Sequence, residues 1–374
     1  MNTLADPEQI LSPDDPALAL LCGALRDLSS QLDNPTTADE IPWPRKQLEL
    51  CGKYGVFKWF IDEEHGGLGW SAVDLARGYL ALGAACQTTT FIITQRTGAC
   101  QRIALAANDY ARQTLLPDLL TGNEFSTVGI SHLTTSHRHL AKPVLTAVET
   151  ETGFVLNGFC PWVTGATQAE TLVIGATLED GRQILTVLPT SLSGVKLHDP
   201  ANLVALTSSH TGRVSMDNVA VDRKWLLGGP VENVMAGGIG ARTGGLQTST
   251  LALGLAGAAI EFIVEESQRR DELRDPAQSL LTEWEGLRGE LLDTAAGIAA
   301  CAAGDLRMRA NDLVLRATQA SLSAAKGAGF VTGHPAGRWC QEALFFMVWS
   351  CPQHVMNAQL CQLAGIQDEQ VGEV

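Results

Sequence analysis

The stretch "FVLNGFCPWVTGATQAETLVIGA", residues 154–176, places Trp162 and Thr164 two positions apart, just after an Asn-Gly pair that reads as a turn. Apolar runs flank it, Phe154 to Leu156 before and Leu172 to Ile174 after. In an extended chain, positions i and i+2 face the same way, so one strand is expected to present an indole face and a hydroxyl side by side. Such a surface fits a flat molecule with polar edges. The alternative is a core Trp beside an ordinary strand Thr.

Similar short runs with β-branched residues surround this stretch: "FSTVGIS", "KPVLTAV", "QILTVLP", "GVKLHD" and "GRVSMDNVAV". Asp180-Gly181 and Ser193-Gly194 mark turns between them, the pattern of an antiparallel barrel or sandwich. Upstream, "PALALLCGALRDLSSQL", "AVDLARGYLALGAAC" and "DYARQTLLPDLLTGN" have the spacing of helices, and Ala-rich helical segments return downstream. The expected organisation is a helical domain over 1–125, a β-domain over 126–230 and a helical bundle over 231–374. Helices, then strands, then helices give no βαβ alternation, which argues against a doubly wound nucleotide fold. The glycine run "AGGIGARTGG" at 236–245 follows no strand and lacks GxGxxG spacing, so it reads as the lead-in to a helix starting near Leu246.

The 374 residues can bury more than one core, with 45% hydrophobic and 18% charged residues. A net charge of −15, spread along the chain, argues against a nucleic-acid partner or an anionic membrane surface. Nine cysteines without a CxxC pair fit a reducing compartment, and cytoplasmic localisation is expected. The first residues show no basic segment followed by a long apolar run, so no signal peptide is read there. "TLALGLAGAAIEFIVEE" carries Glu261, Glu265 and Glu266 and reads as a buried helix rather than a membrane span.

Five segments in order resemble the acyl-CoA dehydrogenase superfamily: "YGVFKWFIDEEHGGLGWSAVDLA" (54–76), "LLPDLLTGNEFSTVGIS" (115–131), the 154–176 stretch, "TGRVSMDNVAVDRKWLLGG" (211–229) and "KGAGFVTGHPAGRWCQEALFF" (326–346). The resemblance implies an α+β fold: an N-terminal helical domain, a central antiparallel β-domain and a C-terminal four-helix bundle. It also implies FAD, with Trp162 packed on the isoalloxazine ring and the Thr164 hydroxyl near flavin N5. Ser131 and His132 fall at flavin-proximal positions. Arg269, Arg270 or Arg274 matches the pyrophosphate-binding Arg, with Arg270 preferred, and Gly327 matches the glycine turn on the adenine side. A homodimer or homotetramer packed through the C-terminal bundle is implied as well.

The departures bear on function. The family's Thr-Glu-Pro and glycine-rich turn become "GISHLTTSHRHLA" (129–141), which puts thioester binding in question. His137 and His139 have strand-like spacing, but no Cys or carboxylate supplements them, and no metal site is expected. The family's catalytic Glu aligns with Ser350, and the alternative carboxylate position aligns with Gly244-Gly245, which also carries no acid. A serine hydroxyl is too weak a base to replace a carboxylate unaided. Two readings stay open for Ser350, Cys351 and His354. They form a catalytic constellation, with Ser350 or Cys351 capping a helix that begins at Pro352 and lowers the Cys351 pKa. Or they are a cap, a buried thiol and a polar contact. The expected function is a flavin-dependent oxidoreductase acting on a small acyl or acyl-like substrate. The alternatives are a flavin-dependent monooxygenase on the same scaffold and a non-catalytic binding or assembly relative.

Overall fold

The computed structural model describes residues 9–32, 41–134, 142–237, 245–298 and 301–366. The N-terminal helices are α1 (Pro16–Ser29), α2 (Arg45–Lys53), α3 (Ala72–Ala85), α4 (Gln87–Ala104) and α5 (Asp109–Thr121). Then follow β1 (Ser126–Gly129), α6 (Ser131–Thr134), β2 (Leu145–Glu149), β3 (Gly153–Val163), β4 (Thr171–Thr177), β5 (Gln183–Pro189), β6 (Val195–Leu197), β7 (Gly212–Asp222) and β8 (Leu226–Val231). The C-terminal helices are α7 (Leu246–Ser267), α8 (Arg274–Ala295), α9 (Ala303–Ala325), α10 (Pro335–Phe345) and α11 (Gln353–Leu363). Contacts divide the chain into two units: Met1–Leu21, Pro35–Trp70 and Thr88–Arg242 form one, and Cys22–Asn34, Ser71–Gln87 and Thr243–Val374 form the other.

In the first unit the strands form one sheet in the order β6-β7-β3-β2-β4-β5-β8, with β1 also paired to β4. The sheet is mixed rather than wholly antiparallel, because β1 and β2 each run parallel to β4. The pleat sorts β4 between two cores. Leu172 and Ile174 join Phe154, Leu156, Val214, Val219 and Ile184 on one face. Val173 joins Ala99, Ile103, Leu115 and Leu119 of α4 and α5 on the other. Burial on both faces explains why β4 reads as a continuous apolar run.

Two local expectations change. Asn157-Gly158 is not a turn but a bulge inside β3, where the register with β7 shifts between Leu156 and Gly158. Gly158 sits at φ +127, and a Cβ there would lie 2.1 Å from the Val144 carbonyl oxygen, so only glycine fits. β8 lies in what reads as a loop, since "LLGGPV" carries two glycines and a proline, yet it closes the sheet against β5.

In the second unit α7 is buried at every position from Thr248 to Ala256. It is long and apolar enough to span a membrane by length and composition, but 72% of its apolar window is buried within the protein. Small residues permit that packing. A Cβ on Gly254 would lie 2.9 Å from the Leu80 carbonyl oxygen of α3, and the Trp284 indole of α8 lies over Gly257 and donates from Nε1 to Leu253 O at 2.8 Å. α8, α9 and α10 pack with α7, and α11 packs against α9.

Candidate functional site

β3 delivers Trp162 to the surface of the first unit, with half of its area exposed (50%), and then ends. Thr164 lies one residue past the strand and is 4% exposed, so the two side chains do not share one exposed face. The cause is local: the ladder with β7 shifts register between Cys160 and Val163, and Gly165 turns the chain at φ +66. The Gly165 N–H donates to the Ser209 carbonyl at 2.9 Å, which ties the turn to the segment before β7. The Thr164 hydroxyl is 3.0 Å from that of Thr211, which is 2.8 Å from that of Ser209. Sequence reasoning passed over Thr211 and Ser209; the hydroxyl-rich "TSSHTG" (207–212) ahead of a strand was the available signal.

β1 and α6 carry the next group in the same unit. The buried hydroxyls of Thr127 and Ser131 have no hydrogen-bond partner among the described residues. His132 is buried, and its Nε2 donates to the Gly175 carbonyl of β4 at 2.8 Å, because a carbonyl can only accept. α6 packs against β3. His137, Arg138 and His139 lie outside the described residues.

In the second unit Ser350 lies between α10 and α11 at φ +48, a left-handed conformation for a residue with a side chain. The cap of α11 is Pro352, not Ser350 or Cys351, and the left-handed backbone at Ser350 prevents one helical face from carrying Ser350 and His354 together. Burial pushes the Cys351 thiol up from its ordinary value, with Arg307 opposing the shift, so the expected lowering by helix amides is reversed. His354 is exposed, and its ring abuts α9, where a Cβ on Gly304 would lie 2.6 Å from Nε2. No hydrogen bond joins Ser350, Cys351 and His354 among the described residues. What orders this turn is Arg307 of α9, which is 3% exposed and which the sequence reading did not single out. It donates from Nη2 to Phe346 O at 2.8 Å and to Trp349 O at 3.0 Å, and from Nε to Asn311 Oδ1 at 2.8 Å.

Arg270 and Gly327 do come near one another. Arg270 Nη1 donates to the Ala324 carbonyl at 2.6 Å, three residues before Gly327. Arg270 also contacts Glu266 (3.4 Å) and Glu272 (3.2 Å), so a phosphate would compete with two carboxylates for it. Gly327 is exposed, and a Cβ there would meet open space.

The first unit thus leaves one indole half-exposed at a strand end and, among the described residues, the buried hydroxyls of Thr127 and Ser131 without a partner. The order of helices, sheet and helices is that of the acyl-CoA dehydrogenase fold. Residues 25–123 match the family model for the acyl-CoA dehydrogenase N-terminal domain. The chain is 23% identical over 263 residues to a probable acyl-CoA dehydrogenase, YngJ, of Bacillus subtilis (strain 168), covering 68% of each. Its fold matches a glutaryl-coenzyme A dehydrogenase bound to glutaryl-CoA (TM-score 0.78, 18% identity, 94% and 96% of the chains). It also matches dibenzothiophene monooxygenase of Paenibacillus sp. A11-2 (TM-score 0.75, 14% identity, 94% and 96%). Residues 25–123 thus carry the acyl-CoA dehydrogenase N-terminal domain, and the chain has the acyl-CoA dehydrogenase fold.

Proposed function

We propose that this chain is an FAD-dependent oxidoreductase acting on an acyl or acyl-like substrate. The observation that carries the reading is the half-exposed Trp162 near the end of β3, with the buried hydroxyl of Thr164 two residues further on. Bound there, FAD supplies a ring that accepts a hydride. Trp162 offers an apolar face for stacking, Thr164 a hydroxyl toward the ring edge, and Ser131 a buried hydroxyl that lacks a partner. In the second unit, taken by itself, Arg270 and the turn at Gly327 are proposed as contacts for a nucleotide phosphate, in competition with Glu266 and Glu272. Ser350, Cys351 and His354 remain candidates for the substrate side, with Arg307 holding the turn that carries Ser350.

A homodimer or homotetramer assembled through the C-terminal helices is part of the proposal. It is supported by the apolar side chains of Phe330, Val331, Val348, Leu360 and Leu363, each exposed in the second unit.

One observation favours a second reading. From Ala343 to Gln367 there is no Asp or Glu, so the α10–α11 turn offers no carboxylate to take an α-proton. A monooxygenase needs no such base, and one of the structural neighbours is a monooxygenase. Anaerobic mixing of the FAD-loaded protein with a panel of acyl-CoA thioesters separates the readings. Bleaching of the flavin band without oxygen supports the dehydrogenase reading. No bleaching, with oxygenated product formed once the flavin is reduced chemically and air is admitted, supports the monooxygenase. Neither outcome, in a protein that binds FAD, would overturn both.

A further inference from the structure

Thr164, Thr211 and Ser209 form a chain of three hydroxyls that are 4%, 7% and 0% exposed. The contacts are 3.0 Å between Thr164 and Thr211 and 2.8 Å between Thr211 and Ser209. Each hydroxyl has one proton and can accept bonds on its lone pairs. Three arrangements are therefore open: protons running from Ser209 toward Thr164, running the other way, or converging on Thr211.

The surroundings choose among them. Among the described residues, the hydroxyls of Ser209 and Thr211 have no partner outside the chain. If the protons run from Thr164 inward, the Ser209 proton is buried without an acceptor. If they converge, the Thr211 proton is. Each is an unmet buried donor, which is costly. The outward direction bonds both interior protons and leaves the Thr164 proton for the ligand proposed above, the one acceptor that relieves the chain of an unmet donor. Polarisation along the chain strengthens that terminal donor.

We infer that Ser209 and Thr211 are positioning residues that fix Thr164 as a hydrogen-bond donor toward the ligand of the Trp162 face. The inference rests on the flavin site proposed above. Oxidised N5 offers a lone pair, whereas reduced N5 carries a hydrogen, so a fixed donor favours the oxidised ring. Weakening the donor should therefore raise the two-electron potential.

The test is the midpoint potential of the FAD-loaded protein, measured by spectroelectrochemistry in wild type, Thr211→Val, Thr211→Ser, Ser209→Ala, Thr164→Val and the Thr164→Val/Thr211→Val double variant. Thr211→Val, which keeps the shape and removes the hydroxyl, is expected to shift the oxidised-to-reduced balance about tenfold toward reduced, roughly 30 mV upward for two electrons. Thr211→Ser should stay at the wild-type potential, and Ser209→Ala should shift in the same direction by less. In the Thr164→Val background, Thr211→Val should add nothing, because the donor it supports is gone. A wild-type potential in Thr211→Val, or an equal shift with and without Thr164, overturns the inference while leaving the flavin site standing. A wild-type protein that takes up no flavin overturns both.

Discussion

Arg307 Nη2 donates to the Trp349 carbonyl at 3.0 Å, and through it α9 holds the turn that carries Ser350. The same nitrogen bonds Phe346 O, the cap of α10, so one guanidinium bridges the helix end and the turn that follows it. Arg307→Met removes a costly buried charge but also removes the bond to Trp349 O and one of two bonds to Phe346 O, which keeps that from Asn311 Nδ2 at 3.0 Å. The second effect should win, lowering stability by about 2–3 kcal/mol, since bonds to a charged group are the stronger kind. Arg307→Lys should recover part of the loss, because an ammonium lacks the fork. Urea denaturation of the three proteins checks this; an unchanged midpoint in Arg307→Met contradicts it.

The buried thiols give the protein a defined alkaline limit. Burial pushes Cys160 up to about 12 and Cys22 up to about 11, from an ordinary value of 9.0. Between pH 9 and those values the unfolded thiols ionise while the folded ones keep their protons. The unfolded state then binds fewer protons, so stability is full below pH 9 and falls as pH rises. Each such thiol contributes about 1.4 kcal/mol per pH unit in that window. Urea midpoints at pH 8.5 and 10.5 under reducing conditions should differ, and Cys160→Ala should flatten the fall. Equal slopes in wild type and variant would count against the assignment to Cys160.

Gly254 is where α7 meets α3. A methyl placed 2.9 Å from the Leu80 carbonyl oxygen forces the helices apart, so Gly254→Ala should cost about 1–3 kcal/mol despite its better helix propensity. Gly286, whose Cβ position meets nothing, is the control on α8, and Gly286→Ala should be neutral or stabilising. Equal stability of the two variants would show that the α3–α7 contact is looser than described.

Restoring a carboxylate at Ser350 should not restore acyl-CoA dehydrogenation. General-base catalysis is worth about 10²–10⁴-fold where substrate is correctly placed. Here, however, the backbone at residue 350 is left-handed at φ +48, and Pro352 caps α11 two residues on. Anaerobic flavin reduction by an acyl-CoA is expected to be no faster in Ser350→Glu than in wild type. A gain of a hundredfold would mean that the chain is a dehydrogenase lacking only its base.

The fold was largely readable because burial and periodicity coincide: β4 is apolar from Leu172 to Ala176, where both faces are covered, and α7 is apolar from Leu251 to Ile260, where helices surround it. β8 was hidden because "LLGGPV" pairs through its backbone with little help from side chains. Asn157-Gly158 misled because the glycine that marks a turn also suits a bulge at φ +127. At the site, Trp162 could be found from one short motif. Thr211 and Ser209 could not, because their contact with Thr164 spans the whole of β4 to β6. Arg307 is a cation at an ordinary helical position, and only the tertiary fold buries it.

The most direct test of the central claim is FAD titration of the purified wild-type protein and Trp162→Ala, followed by visible absorbance and flavin fluorescence. Wild type is expected to bind FAD with a perturbed flavin spectrum. Trp162→Ala should bind more weakly by about 1–3 kcal/mol, from loss of the stacking face, with little loss of stability because half of the side chain is already exposed (50%). Equal FAD affinity in the two proteins, or a wild type that remains colourless at saturating FAD, would contradict a flavin site on the Trp162 face.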